Sequence, residues 1–459
     1  MFGLDGRDPS DARDNDDSSA QTHVVVTYGH RTLLNSAARE PMVDNTGPVA
    51  TDMPVVTAEG AMVPVTMVDS TFEFDVPRGA AYEVRFGDVE YQTSAARASF
   101  DVVHYGRTPD PVTSTVVDLT LSLAPAATTP VQLVSTGVFA QLEIKWPQGS
   151  TGSFEWTKAS FAGPAGKVKT SANDGLYAIE LVTVGAITYA WRAATLTLDM
   201  ADEPQMLSAL LPAVTRDKCS TVRPSGMEEL TRLQSAYPSY VNATRSGWEI
   251  DAVPFPSLGL DVARPLAMSY SAAGSNLTTS VLFGLPYVGH AFVATQVTSA
   301  ARRVLGYTLT ASTSYSKEIA PDSSCPEVRL GESASAIAVD HELAGIELAT
   351  EPLTIGIPSG NAYAELTWTV EGAEVPGLYI VELLELPVPH QAGPVSLRTI
   401  YTAEPRARIA KDLFVAGKSY IARISTRSNR ARAALGDFTE RGLPVAESSV
   451  LTTVFQVVQ

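Results

Sequence analysis

The chain has 459 residues, 45% of them hydrophobic and 18% charged, and 50 acidic against 33 basic side chains leave a formal net charge of −17. That composition excludes a disordered polyelectrolyte and supplies cores for about three domains of roughly 150 residues each. The acidic balance argues against nucleic acid as a partner, because binding a polyanion needs clustered Lys and Arg to displace counterions.

Residues 1–21 carry Asp5, Asp8, Asp11, Asp14, Asp16 and Asp17 among Ser, Gly and Pro. With almost nothing apolar to bury, this stretch reads as a disordered acidic tether. It has neither the basic n-region nor the apolar h-region of a signal peptide. The expectation is a mature form whose export or lipoprotein signal, and any lipid anchor, belongs to the precursor. No run reaches the roughly eighteen consecutive apolar residues of a membrane-spanning helix.

A first β module is expected over 22–125. Thr71 to Phe86 organises it: Phe72, Phe74 and Val76 alternate with polar residues, Pro77-Arg78-Gly79 interrupts, and Tyr82, Val84 and Phe86 alternate again. An apolar residue at every second position buries one strand face, and Pro and Gly suit a reversal, so two half-buried strands folded into a hairpin are predicted. With Val24–Val26, Val63–Met67, Val89, Tyr91, Phe100, Val102 and Val117–Leu123, six or seven short strands suggest a sandwich. FEFDVPRGAAYEVRF resembles the hairpin of carboxypeptidase-regulatory-like (prealbumin-like) domains. YGRTPD at Tyr105 to Asp110 is similar to an ending found in long, uncharacterised exported proteins of myxobacteria, with Thr108 as an insertion. These resemblances imply a fold and no reaction.

The region 126–345 is expected to be a central β-rich domain, from Leu142-x-Ile144-x-Trp146, Phe154-x-Trp156 and Thr195 to Asp199 through Leu258–Met268, Ser280–Phe283 and Leu305–Thr313. One short helix is predicted at Ser225 to Tyr237: Ser225 and Glu228 have capping-box spacing, Met227, Leu230 and Leu233 share a face, and Pro238 stops it. Cys219 and Cys325 are the only cysteines, 106 residues apart in polar, Pro-flanked surroundings. They read as one disulfide, which belongs in an oxidising compartment.

The last module, 346–459, alternates Ala364, Leu366, Trp368 and Val370. In LFVAGKSYIARIS, a Leu-Phe pair and a Gly turn precede Tyr420, Ala422 and Ile424. This resembles the E–F corner of a fibronectin type III domain, which implies that the Tyr420 hydroxyl ties the corner to upstream backbone and that Trp368 is a buried core residue.

The expected fold class is therefore all-β, with multi-domain β-sandwiches and one short helix. Catalytic motifs are missing from the sequence: the six histidines lack zinc spacing, Asp340-His341-Glu342 would diverge on a strand, and no nucleophile elbow or phosphate loop occurs. No cofactor or metal is expected. Glu155, Glu249, Asp251 and Asp261 are candidates for a carboxylate pair only because they neighbour aromatics or apolar strands. Among the central aromatics, Trp146, Trp156, Tyr177, Tyr189, Trp191, Tyr237, Tyr240 and Trp248, the loop-like surroundings of Pro238 single out Tyr237, Tyr240 and Trp248 as a binding platform. The Asn242-Ala-Thr244 and Asn276-Leu-Thr278 glycosylation acceptors are incidental in a bacterial source. These features favour a non-enzymatic exported cell-envelope or extracellular binding or scaffold protein, with a surface polysaccharide or another envelope protein as partner. The alternatives are a polysaccharide hydrolase with a carboxylate pair in the central domain, and a structural subunit of a surface assembly joined through an edge strand.

Overall fold

A computed structural model describes residues 20–34, 42–46, 53–69, 71–105, 116–124, 131–135, 154–160, 176–197, 205–236, 243–254, 264–271, 276–287, 290–330, 336–339, 353–356, 362–371, 376–387, 393–428, 432–439 and 445–458. The chain is all-β with one short helix, Gly226–Ala236.

The organising stretch folds differently from the expected hairpin. Thr71–Pro77 pairs antiparallel with Gln21–Thr27, whereas Tyr82–Phe86 pairs with Val55–Ala58 and Val89–Thr93 in another sheet. Pro77 to Ala81 is thus an arch between two sheets, closed by the Ala80 N–H to Pro77 carbonyl bond and by Gly79 at φ +75°. The apolar sets of both strands face each other across one core, where Phe74 and Tyr82 meet edge to face at 5.2 Å. Alternation reveals which face is buried; an arch and a hairpin bury the same residues.

In the central region, Leu176–Val184, Ile187–Leu196, Arg264–Ser271, Ala243–Pro254, His290–Val304 and Tyr307–Ile319 lie side by side. The last two form a long hairpin through Leu305-Gly306, both at positive φ. A smaller sheet of Lys218–Arg223, Thr279–Phe283 and Glu327–Arg329 contributes Val222, Val281, Phe283 and Val328 to the same core. The Cys219–Cys325 disulfide is present in this smaller sheet's surroundings.

The helix begins as expected, but its capping box is replaced by distant side chains. Gln296 Oε1 accepts the Ser225 N–H, in the place expected for Glu228, and Asn276 Oδ1 accepts that of Met227. Leu230 and Leu233 are buried, while Met227 is 52% exposed and so leaves the predicted apolar face.

In the last module, Trp368 and Tyr420 are buried in one core with Val381, Ile400 and Phe414. The Tyr420 hydroxyl accepts the Val415 N–H at 2.7 Å and donates to the Val415 carbonyl at 3.3 Å, a tie of the kind that the resemblance implied.

The three regions share strand pairing. Thr313 to Ser316 pair with Val445 to Ser448, and Val89 to Gln92 pair in parallel with Thr399 to Thr402, within one 17-stranded sheet. Where the first and last modules meet, polar groups are buried. Tyr363 donates to Glu83 at 2.7 Å, and Gln92 donates to Glu90 at 2.7 Å and to the Arg408 carbonyl at 2.6 Å. Arg398 approaches Glu90 at 3.9 Å and donates to the Gly87 carbonyl.

Burial above all holds the Glu90 carboxyl above the usual glutamate range, and the Glu83 charge adds to this against Gln92 and Arg398. A raised acid pKa gives stability that is fully present below the ordinary glutamate value and lost as pH rises through the raised one. Urea midpoints measured from pH 4.5 to 8 are therefore expected to fall more steeply with pH in the wild type than in Glu90→Gln. Parallel profiles would show that Glu90 does not titrate differently on folding.

Candidate functional site

An interruption in pairing builds the most exposed aromatic feature of the central sheet among the described residues. Between Leu176–Val184 and Ile187–Leu196 the register passes from Glu180↔Arg192 to Leu181↔Ala190, so Trp191 opposes no residue. Such a bulge bends the strand and re-aims a side chain. Next to it, Arg192 reaches the fully buried Glu180 at 3.1 Å, while Trp191 keeps 38% of its surface exposed.

A second segment runs antiparallel along this strand. The Ala193 N–H donates to the Pro212 carbonyl at 3.1 Å, the Val214 N–H donates to the Trp191 carbonyl at 2.9 Å, and Arg192 bridges to Ala213. Continuing that direction brings Arg216 alongside Tyr189. Its guanidinium carbon lies 4.4 Å from the Trp191 ring centroid and 5.0 Å from that of Tyr189. Cation–π contacts of this kind contribute about 0.5–1 kcal/mol at exposed positions, enough to bias a long side chain toward one place.

Further along the same two segments opens a cleft of about 500 Å³ whose lining includes Tyr177, Thr195, Pro212, Thr215, Lys218 and Leu285, and to which Trp191, Tyr189 and Arg216 do not contribute. The volume falls within the roughly 300–1,000 Å³ of small-ligand sites. Asp217 is the carboxylate among the described lining residues, and it lies 3.5 Å from the Lys218 ammonium. A smaller cleft of about 160 Å³ at the junction of the first and last modules is lined by Glu83, Gln92, Thr402 and Arg406, among others. Glu83 and Gln92 there are already engaged with Tyr363 and Arg408.

The expected platform is corrected at Trp248. This residue lies mid-strand between Ser269 and Gln296 on the two neighbouring strands and is 5% exposed, packed in the central core. Tyr237 and Tyr240 lie outside the described residues. So do Asp261 and Asp340-His341-Glu342, while Glu155 is on the strand Phe154–Ser160. Glu249 accepts the Tyr270 hydroxyl at 2.7 Å, and Asp251 is buried. Burial first, then the Glu249 charge, pushes the Tyr270 hydroxyl well above its ordinary value, so it stays a hydrogen-bond donor. Arg245 covers the Tyr270 ring at 3.8 Å.

Sequence reasoning counted Tyr189 and Trp191 among the central aromatics but did not bring them together with Arg216. The available signal was TYAWR, two large aromatics alternating on a strand whose following Arg cannot be buried alone. Nothing local joins that stretch to Arg216.

Among the described residues, no group of three or more His, Cys, Asp and Glu side chains is placed to hold a metal ion. No helix there is long and apolar enough to cross a membrane.

No family model matches the chain, and no curated protein does. Among solved structures, a streptococcal ancillary pilin aligns at 7% identity and a TM-score of 0.13, covering 68% of this chain and 99% of that one. A candidate adhesin from Bacteroides ovatus aligns at 10% identity and a TM-score of 0.12, covering 48% and 90%. Likeness at these scores says nothing about role.

Proposed function

We propose that this protein is a non-enzymatic binding and scaffold protein of the cell envelope or exterior, which holds surface polysaccharide at Trp191. One observation carries the reading: the Trp191 indole, unmatched in the strand register at a bulge, stays exposed beside the Arg216 guanidinium. Amphipathic aromatics in such positions anchor ligands. The disulfide supports an oxidising compartment. The prealbumin-like and fibronectin type III-like resemblances, the latter matching the Tyr420 tie, support modules that bind or space. A hydrolase would need two facing carboxylates in the nearby cleft, and Asp217 is the single carboxylate among its described lining residues.

Binding to immobilised surface polysaccharide tests this reading, with reducing-end release measured in parallel. Trp191→Ala is expected to weaken binding about tenfold or more, with an unchanged melting temperature and no sugar released by either protein. Retained affinity in Trp191→Ala would move the site elsewhere; turnover by the wild type would replace the reading with the hydrolase.

A further inference from the structure

Independently of what Trp191 holds, we infer that Asn276 is the attachment site of an N-linked glycan, taken from a lipid-pyrophosphate-linked oligosaccharide. Asn276-Leu-Thr278 is the acceptor sequence, incidental if the source is bacterial. The folded chain presents it as a transferase requires. Asn276, Leu277 and Thr278 are all exposed, and they run without strand pairing into Thr279–Phe283.

The two ends of the Asn276 amide are placed differently. Its Oδ1 accepts the Met227 N–H at 2.9 Å, one of the groups that the first turn of Gly226–Ala236 cannot satisfy within the helix. A backbone N–H can bond only to the oxygen, so this contact assigns the amide orientation and turns Nδ2 away from the helix. Among the described residues, neither Nδ2 nor the Thr278 hydroxyl has a hydrogen-bond partner. A sugar joined at Nδ2 replaces one N–H and leaves Oδ1 an acceptor, so the helix keeps its cap.

Transfer forms the bond from Nδ2 to C1 of the first sugar and breaks the C1–O bond to the lipid pyrophosphate. The pyrophosphate leaves with that electron pair, and the Nδ2 proton passes to a base of the transferase. The Cys219–Cys325 disulfide supports passage through an oxidising compartment, where such a transfer takes place.

The surroundings give the sugar something to cover. Leu277 is 73% exposed and Met227, whose amide Asn276 holds, is 52% exposed. These apolar side chains flank the acceptor, and a sugar ring beside them shields surface that the core leaves in water. The other acceptor sequence, Asn242-Ala-Thr244, is unlike this one: Thr244 is half-buried and pairs with Ala300 within the strand Ala243–Pro254.

Peptide mapping by mass spectrometry tests this on the protein purified from its native source, before and after treatment with an N-glycan amidase. The peptide bearing Asn276 is expected to carry a sugar mass that the amidase removes, leaving aspartate in place of the asparagine. Thr278→Val, expressed in that source, should lose the glycan although Asn276 still caps Met227, with circular dichroism unchanged. Thr278→Ser should keep part of the occupancy, because the hydroxyl is retained.

An unmodified Asn276 in the native protein would overturn the inference, and so would a glycan on Asn276 that persists in Thr278→Val. A sugar that resists the amidase and maps to the Thr278 hydroxyl would overturn it in favour of O-linked modification. None of these outcomes depends on polysaccharide binding at Trp191, so the two readings fail separately.

Discussion

Replacing Cys219 by Ala and Cys325 by Ser together is expected to lower the unfolding free energy by about 3–5 kcal/mol. The bridge spans 106 residues, and in the chain-entropy model closing a loop of roughly 100 residues removes about 4.7 kcal/mol of freedom from the unfolded chain, with less realised in practice. Alanine is the better choice at position 219 because that side chain is fully buried, and a serine hydroxyl there would add a desolvation penalty of its own.

The bridge also has local work. It joins the strand Lys218–Arg223 to the turn before Glu327–Arg329, beside the Cys219 N–H to Asp322 carbonyl and Thr221 N–H to Pro326 carbonyl bonds. Those two strands carry Val222 and Val328 into the central core. Arg216 precedes Cys219 by three residues, so opening the bridge should loosen its contact with Trp191 as well. Urea unfolding followed by tryptophan fluorescence, with Trp248 as the buried reporter, measures the loss. A change below about 0.5 kcal/mol would mean that the unfolded loop keeps its ends together without the bridge.

Phe438→Ala should be comparably damaging, by about 3–5 kcal/mol for a fully buried phenylalanine, and its effect should be confined to the junction. Phe438 follows the last module's strand Ser419–Ser428, yet packs among first-module rings: edge to face on Phe100 at 5.3 Å and on Tyr91 at 5.7 Å. Tyr91 in turn stacks between Phe100 at 4.1 Å and Tyr401 at 5.1 Å. The Ser99 N–H donates to the Gly436 carbonyl and the Phe438 N–H to the Ser99 carbonyl.

Truncating the ring empties the centre of this cluster while the last module's own core, around Trp368 and Tyr420, is untouched. The expected result is a first thermal transition well below the second and early proteolysis ahead of position 105. Gly436→Val reaches the same junction by another route. The residue sits at φ +85°, and a Cβ would fall 2.1 Å from the Arg97 carbonyl oxygen. If both variants melt in one transition at the wild-type temperature, the two modules do not depend on each other.

Much of the fold was legible because period-two alternation reports burial directly. Phe72, Phe74, Val76, Tyr82 and Val84 are core residues as read, and so are Trp368 and Tyr420. Partner choice was not legible. The same alternation is satisfied whether neighbouring strands pair or face each other, and the pairing of Val89 with Thr399 joins residues whose local sequences contain no trace of one another. The candidate site failed for a related reason. Proximity to Pro238 made Trp248 look loop-borne, but two long strands enclose it. Trp191 is exposed through a bulge, which depends on one unmatched residue in a register that only the folded sheet defines.

That same parallel contact between Val89–Thr93 and Val395–Thr402 also bears on biosynthesis. Val89 leaves the ribosome or the translocation channel 310 residues before Thr399, its partner. At roughly 5–20 residues per second, the interval is about 15–60 s. Throughout it, the first module has completed its own hairpins but presents a bare edge with Tyr91 and Phe100 uncapped. A nascent chain in that condition is a natural client for a holdase, and crowded polysomes place identical bare edges side by side. That surface stays open until the segments around Tyr401 and Phe438 have been made and can close over it.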